Sequence, residues 1–239
     1  MNLFFFAAAL FAEIVGTIAG FGSSTIFLPL AIFFVDFKTA LVLVAFLHIF
    51  GNLGRISFFR YGLERRLLVT FGVPSVVGSI GGALLVPHVS QDLIQAFLGV
   101  FLVLYAVIFL WREELQFAPR AINAVIGGSL SGFLAGLIGT GGALRGAFLN
   151  AFRLNKEKYI ATAAAIALAV DVTRIPVYLQ QGFLERQYYS SVLVLFFIAL
   201  IGSFIGKRVV DYTPQRHFRK LVLLAVLVAG LKFLYDWVA

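Results

Sequence analysis

The chain has 239 residues, with 19 lysines and arginines against 11 acidic residues, and 61% of it is apolar. Charged residues make up only 13% and the mean hydropathy is +0.99, where an ordinary soluble domain is about 25% charged. No soluble fold of this size hides so much apolar side chain, and the same composition excludes disorder, collagen and coiled coil. A disulfide scaffold is excluded by the absence of cysteine. The chain reads as an all-α polytopic membrane protein.

A membrane-crossing helix needs about 20 mostly apolar residues. The blocks 3–34, 39–59, 67–87 and 93–111 qualify, followed by 121–152, 159–179, 189–206 and 221–238. No basic segment precedes the first block, which is also too long for the apolar core of a signal peptide. The first block of each set is too long for one span, and glycines interrupt it: Gly20-Phe21-Gly22-Ser23-Ser24 and Gly139-Thr140-Gly141-Gly142. Each is expected to be two helical pieces joined at a glycine break.

The two sets align as a duplication. An offset of 119 lays Gly20-x-Gly22-Ser23-Ser24 on Gly139-x-Gly141-Gly142-Ala143, and Asn52-x-x-Arg55 on Asp171-x-x-Arg174. Further along, Gly78-Ser79-x-x-Gly82 matches Gly202-Ser203-x-x-Gly206. This divides one membrane domain into a first repeat, 1–116, and a second, 117–239, each of about five helical segments. Basic residues collect in cytoplasmic loops, so they settle the parity. If each glycine-broken block returns to the side it entered from, thirteen loop lysines and arginines fall on one side and three on the other. If the block crosses once, the split is nine to seven. The first arrangement is the expected one: inverted repeats with both termini outside. The return limbs 23–35 and 142–152 span roughly 20 and 17 Å at 1.5 Å per residue, which favours re-entrant tips.

Inverted repeats with broken helices suit a transporter, because half-helix N-termini near the bilayer midplane attract anions. Gly22, Ser23, Ser24 and Thr25, with Thr140, Gly141 and Gly142, are therefore candidate substrate ligands. Arg55 and Arg174 are deep charges, and Asn52 and Asp171 lie one turn earlier on the same helix faces. Ideal helices place these arginines near opposite membrane faces. Breaks at Gly51 and Gly54 and before Pro176 bring them together, or else they serve two sites. Arg145 follows the second glycine cluster and is a further candidate. Glu13 and His48 are candidates for carrying a coupling proton. The basic segment 207–220 is a topology signal and, secondarily, a contact for anionic lipids.

The repeated glycine pattern at 20–29 and 139–148 resembles the TauE/SafE sulfite exporter family, also called the 4-toluene sulfonate uptake permease family. The resemblance covers both halves, although Ser23-Ser24 and Ala143 replace glycines and Phe148 replaces the proline found at Pro29. It implies export of sulfur oxyanions or organosulfonates such as sulfite or sulfoacetate across the cytoplasmic membrane of a prokaryote. Planar guanidiniums suit such oxygens. The expected partners are a small anionic substrate and membrane lipids, with a homo-oligomer left open. No nucleic acid, cofactor, metal or catalytic residue is expected. The alternatives are a passive anion channel and an intramembrane enzyme acting on lipid phosphate, for which His48 with Ser23 or Ser24 is the candidate dyad.

Overall fold

The computed structural model describes residues 1–19, 22–58, 62–111, 118–212 and 215–238. Gly20 and Phe21 of the first glycine cluster, and Arg60 and Arg112 of the charge count, lie outside the described residues. Among those described there are helices and no strands. The first half forms α1 (Leu3–Ala19), the short α2 (Ser24–Ala31), α3 (Phe37–Phe58), α4 (Arg65–Leu67), α5 (Val73–Leu85) and α6 (Gln91–Trp111). A π turn, Leu68–Gly72, joins α4 to α5. It stands just before Pro74, which has no N–H to give the carbonyl of Thr70. The second half forms α7 (Ala121–Ile138), the short α8 (Gly142–Asn150), α9 (Lys156–Gln180), α10 (Tyr189–Tyr212) and α11 (Gln215–Val238). Six of the described helical stretches are long and apolar enough to cross a membrane. The chain is a multi-pass membrane protein.

Both glycine-broken blocks are two helices. The pieces after the breaks have 8 and 9 residues, about 12–14 Å at 1.5 Å per residue and too short for a hydrocarbon core of about 30 Å. Two expectations need correction. The helices α3 and α9 run unbroken through Gly51, Gly54 and Pro176. The basic segment 207–220 is not one loop, because α10 continues to Tyr212 and α11 begins at Gln215.

Local chemistry sets several ends. The Asp36 carboxylate caps α3 by accepting from the N–H groups of Lys38 and Thr39 at 3.0 and 3.1 Å. Asn155 does the same for α9, accepting from Lys158 N–H at 2.9 Å. Gly139 ends α7 in the left-handed conformation, φ 73°.

The central pair is α3 and α9, flanked by α10 against α1 and α3, and by α5 against α7 and α9. Lipid supplies no hydrophobic drive between helices, so close backbone packing has to hold them. Glycines allow it along the α5–α7 contact. A Cβ added at Gly128, Gly132 or Gly136 would stand 2.3, 2.0 or 2.0 Å from the carbonyl oxygens of Phe71, Ser75 and Ser79. On the outside, α6 exposes Leu93, Phe97, Val100, Leu104 and Ile108, a one-sided helical stripe facing lipid. Gly136→Val is expected to lower the detergent-solubilised protein's stability by about 1–3 kcal/mol or more through overpacking. Gly81→Ala on α5, where a Cβ meets nothing within 4 Å, should leave the melting temperature nearly unchanged.

Candidate functional site

The two chain breaks converge on the centre of the molecule. Gly22 takes φ 95° and donates its N–H to the Gly16 carbonyl at 3.2 Å, turning the chain into α2. Gly139 and Gly141 make the corresponding turn into α8. First-turn N–H groups of a helix have no intrahelical partner, so both half-helices present donors and a positive dipole end. The hydroxyls of Thr25 on α2 and Thr140 before α8 meet at 2.7 Å.

Arg55 is held by α1. Its guanidinium lies 3.3 Å from a Glu13 carboxylate oxygen and also donates to the Gly51 carbonyl at 3.2 Å. The same Glu13 oxygen accepts from Ser203 of α10 at 3.0 Å and from Thr17 at 3.4 Å. Gly51 has to be glycine here, because a Cβ would fall 2.1 Å from that oxygen. Asn52, expected to partner Arg55, instead donates to Asp171 of α9 at 3.4 Å. The i, i+3 spacing put Asn52 on the right face, but the helix lying opposite selected its partner.

Arg174 is held at both ends. Its Nε and Nη2 lie 2.9 and 2.8 Å from one Asp171 oxygen, while Nη1 donates to the carbonyl of Ala135. Tyr178, one turn further along α9, donates to the Gly136 carbonyl at 2.5 Å. These carbonyls belong to the last turn of α7, which has no intrahelical donors and welcomes positive charge. Arg174 and Tyr178 therefore close the end of α7 above the break.

His48 lies between the two sets. Its Nδ1 is 2.9 Å from the second Asp171 oxygen, although neither ring nitrogen meets hydrogen-bond geometry with a described residue. Nε2 faces the break so closely that a Cβ on Gly22 would stand 2.2 Å away. The Asn52 carbonyl oxygen likewise has no hydrogen-bond partner among the described residues, and the buried Ser23 hydroxyl and the second Glu13 oxygen lie near each other without meeting hydrogen-bond geometry. Buried polar atoms are nearly always paired, so this cluster has the character of a site that takes a ligand.

Arg145 completes it. It lies one turn into α8, is 5% exposed, and carries no ion pair among the described residues. It is within electrostatic reach of Asp171, Arg55 and Arg174. The remaining candidates, Ser24 and Gly142, are buried at the starts of α2 and α8. Gly141 serves packing, since a Cβ there would stand 1.9 Å from the Ser131 carbonyl. Sequence reasoning missed Thr17, Ser203 and Tyr178. Thr17 and Tyr178 each lie one turn after a singled-out charge, and Ser203 lies within a matched glycine motif. No group of three or more metal-ligating side chains occurs among the described residues. Away from the membrane segments, Glu64 and Lys158 link the two halves at 2.8 Å. That bond holds the Glu64 carboxyl below its ordinary pKa, so its contribution is present at neutral pH and lost as the pH falls through the lowered value.

The family profile of the sulfite exporter TauE/SafE matches residues 5–233. The chain belongs to the TauE/SafE family. A relative in Escherichia coli (strain K12), "Probable membrane transporter protein YfcA", is 25% identical over 168 residues, covering 67% of this chain and 61% of the relative. The same-named proteins of the O6:H1 and O157:H7 strains match equally. The match thus spans 61% of the length of these relatives. No solved structure gives a significant match. Membership makes this a membrane transporter family protein, and its polar residues are gathered at the glycine breaks.

Breaking one partner out of the α9 set should separate its two parts. Asp171→Asn leaves Arg174 buried without its counter-charge and is expected to lower stability by about 3–5 kcal/mol. Tyr178→Phe removes one neutral hydrogen bond and should lower it by about 1 kcal/mol. Thermal unfolding in detergent measures both.

Proposed function

We propose that the protein exports sulfur-containing oxyanions or organosulfonates, sulfite among them, by alternating access. The observation that carries this reading is Arg145: a buried guanidinium one turn into a half-helix, with no ion pair among the described residues and within electrostatic reach of Asp171 and His48. A buried cation without a partner costs several kcal/mol. An anionic substrate supplies the missing charge, and the half-helix N-termini supply its hydrogen bonds. The ligands are Arg145, Ser23, Ser24 and Gly22 with His48 and Asn52, while the Glu13–Arg55 and Asp171–Arg174 pairs hold the helices around them.

The inverted-repeat reading, with repeats 1–116 and 117–239, draws support from the packing. Under the offset of 119, α1 corresponds to α7 and α5 to α10. The contacts α1–α10 and α5–α7 are then equivalent, as are α3–α10 and α5–α9, while α3–α9 and α6–α11 map onto themselves. Asn52 and Asp171, equivalent positions, touch each other. Such exchange across a pseudo-two-fold axis is what alternating access by rocking of repeats uses. We place both termini outside the cytoplasmic membrane on the distribution of basic residues. In an inside-negative cell an exported anion gains about 2.3 kcal/mol per charge per 100 mV, so export needs no coupling ion. The burial of every polar group at the site supports a carrier over an open pore.

Proteoliposomes preloaded with sulfite should accumulate radiolabelled sulfite by counterflow, a behaviour that a channel lacks. Arg145→Gln, which leaves both ion pairs intact, is expected to reduce this at least about a hundredfold, equivalent to roughly 2.7 kcal/mol, with no loss of melting temperature. Full counterflow in the folded variant would sink the assignment.

A further inference from the structure

The charges around the breaks can be counted. Arg55, Arg145 and Arg174 contribute three positive charges, and Glu13 and Asp171 contribute two negative ones, all 5% exposed or less. The carboxylates are spoken for: Glu13 by Arg55 at 3.3 Å and Asp171 by Arg174 at 2.8 Å. His48 counts as the neutral imidazole. It faces Asp171 on α9, already neutralised by Arg174, and at its other nitrogen it faces Gly22 and the positive start of α2. Arg55 on its own helix and Arg145 on α8 are the other charged groups within electrostatic reach of the ring. Among the described residues, the net charge of the buried site is one positive.

We infer that the site selects its substrate by valence, taking monoanions such as organosulfonates or hydrogensulfite in preference to dianions of the same size. This rests on the reading of the breaks as an anion site and adds which charge state that site accepts. A monoanion brings the enclosed region to neutrality. A dianion leaves one uncompensated negative charge in a low-dielectric interior, and the cost of burying charge is not recovered unless it is paired. Each break also carries the C-terminal end of the preceding helix, α1 or α7, whose negative dipole end offsets the positive one of the half-helix and leaves the count unchanged. Selection therefore comes from the imbalance between arginines and carboxylates, and Glu13 is a specificity-determining residue although it bonds to Arg55 and not to substrate. Among sulfonates, sulfoacetate with its additional carboxylate is a poor ligand at neutral pH, and a hydroxymethyl group in place of that carboxylate makes a good one.

Isethionate and sulfoacetate are a matched pair for the test, similar in length and differing by one charge. Melting temperatures of the detergent-solubilised full chain, titrated with each at pH 7.5, report affinity for the folded state. Isethionate is expected to bind at least about tenfold more tightly, a difference of 1.4 kcal/mol. Glu13→Gln keeps the side chain's shape, raises the site to two positive charges, and should shift the ratio toward sulfoacetate by at least about tenfold. The wild-type comparison decides without any variant. Sulfoacetate binding as tightly as isethionate overturns valence selection and leaves the anion site standing. Failure of both compounds to raise the melting temperature overturns the anion site together with this inference. A folded Glu13→Gln protein with an unchanged ratio overturns the assignment of selection to the charge balance.

Discussion

One oxygen of Asp171 takes both Nε and Nη2 of Arg174, and its other oxygen faces His48 and Asn52 of α3. A carboxylate at that depth is tolerable only when paired, because desolvation of a lone ion outweighs what the fold can supply. Once Asp171 is paired, much else follows. The α9 helix is locked to α3 at the level of Asn52, and Arg174 is committed to the end of α7. The only buried arginine left without an ion pair among the described residues is Arg145.

Around this point the helices have to come close, since polar side chains as short as Ser, Thr and Asn reach only a few ångströms. Glycine provides that approach. Gly51 lets the Glu13 carboxylate lie against α3, Gly202 and Gly206 let α10 lie against Glu13 and Thr17, and Gly22 makes room for the His48 ring. The small residues that permit helix packing in lipid are thus the same ones that bring the charges within bonding range. Packing and site are one arrangement, so a glycine substitution far from Arg145 can disturb ligand binding through a displaced carboxylate.

The glycine breaks, the succession of long and short segments, and nearly all the polar residues of the site could be read from the chain before folding. They are conspicuous because the background is so apolar. Partnerships could not be read. Arg55 and Asn52 share a helix face, yet Asn52 turns to Asp171 while Arg55 finds Glu13 on another helix. Arg55 and Arg174 are both expected to face substrate, and in the fold each is engaged in an ion pair, Arg174 also bonding to the last turn of α7. Arg145, in a degenerate copy of the motif, takes over that role in the proposed mechanism. Breaks at Gly51 and Gly54 and before Pro176 are one of two alternatives in the sequence, and α3 and α9 are continuous helices through these residues.

Composition and periodicity alone determined that this chain is a multi-pass helical membrane protein with two glycine-broken blocks, because those properties depend on neighbours along one helix. Hydropathy is summed residue by residue, and a glycine weakens a helix wherever it stands. Tertiary structure alone decided which carboxylate neutralises which arginine. Those choices depend on the few ångströms between helices far apart in sequence, and in a low-dielectric interior such distances set which charges cancel and which one is left for a ligand.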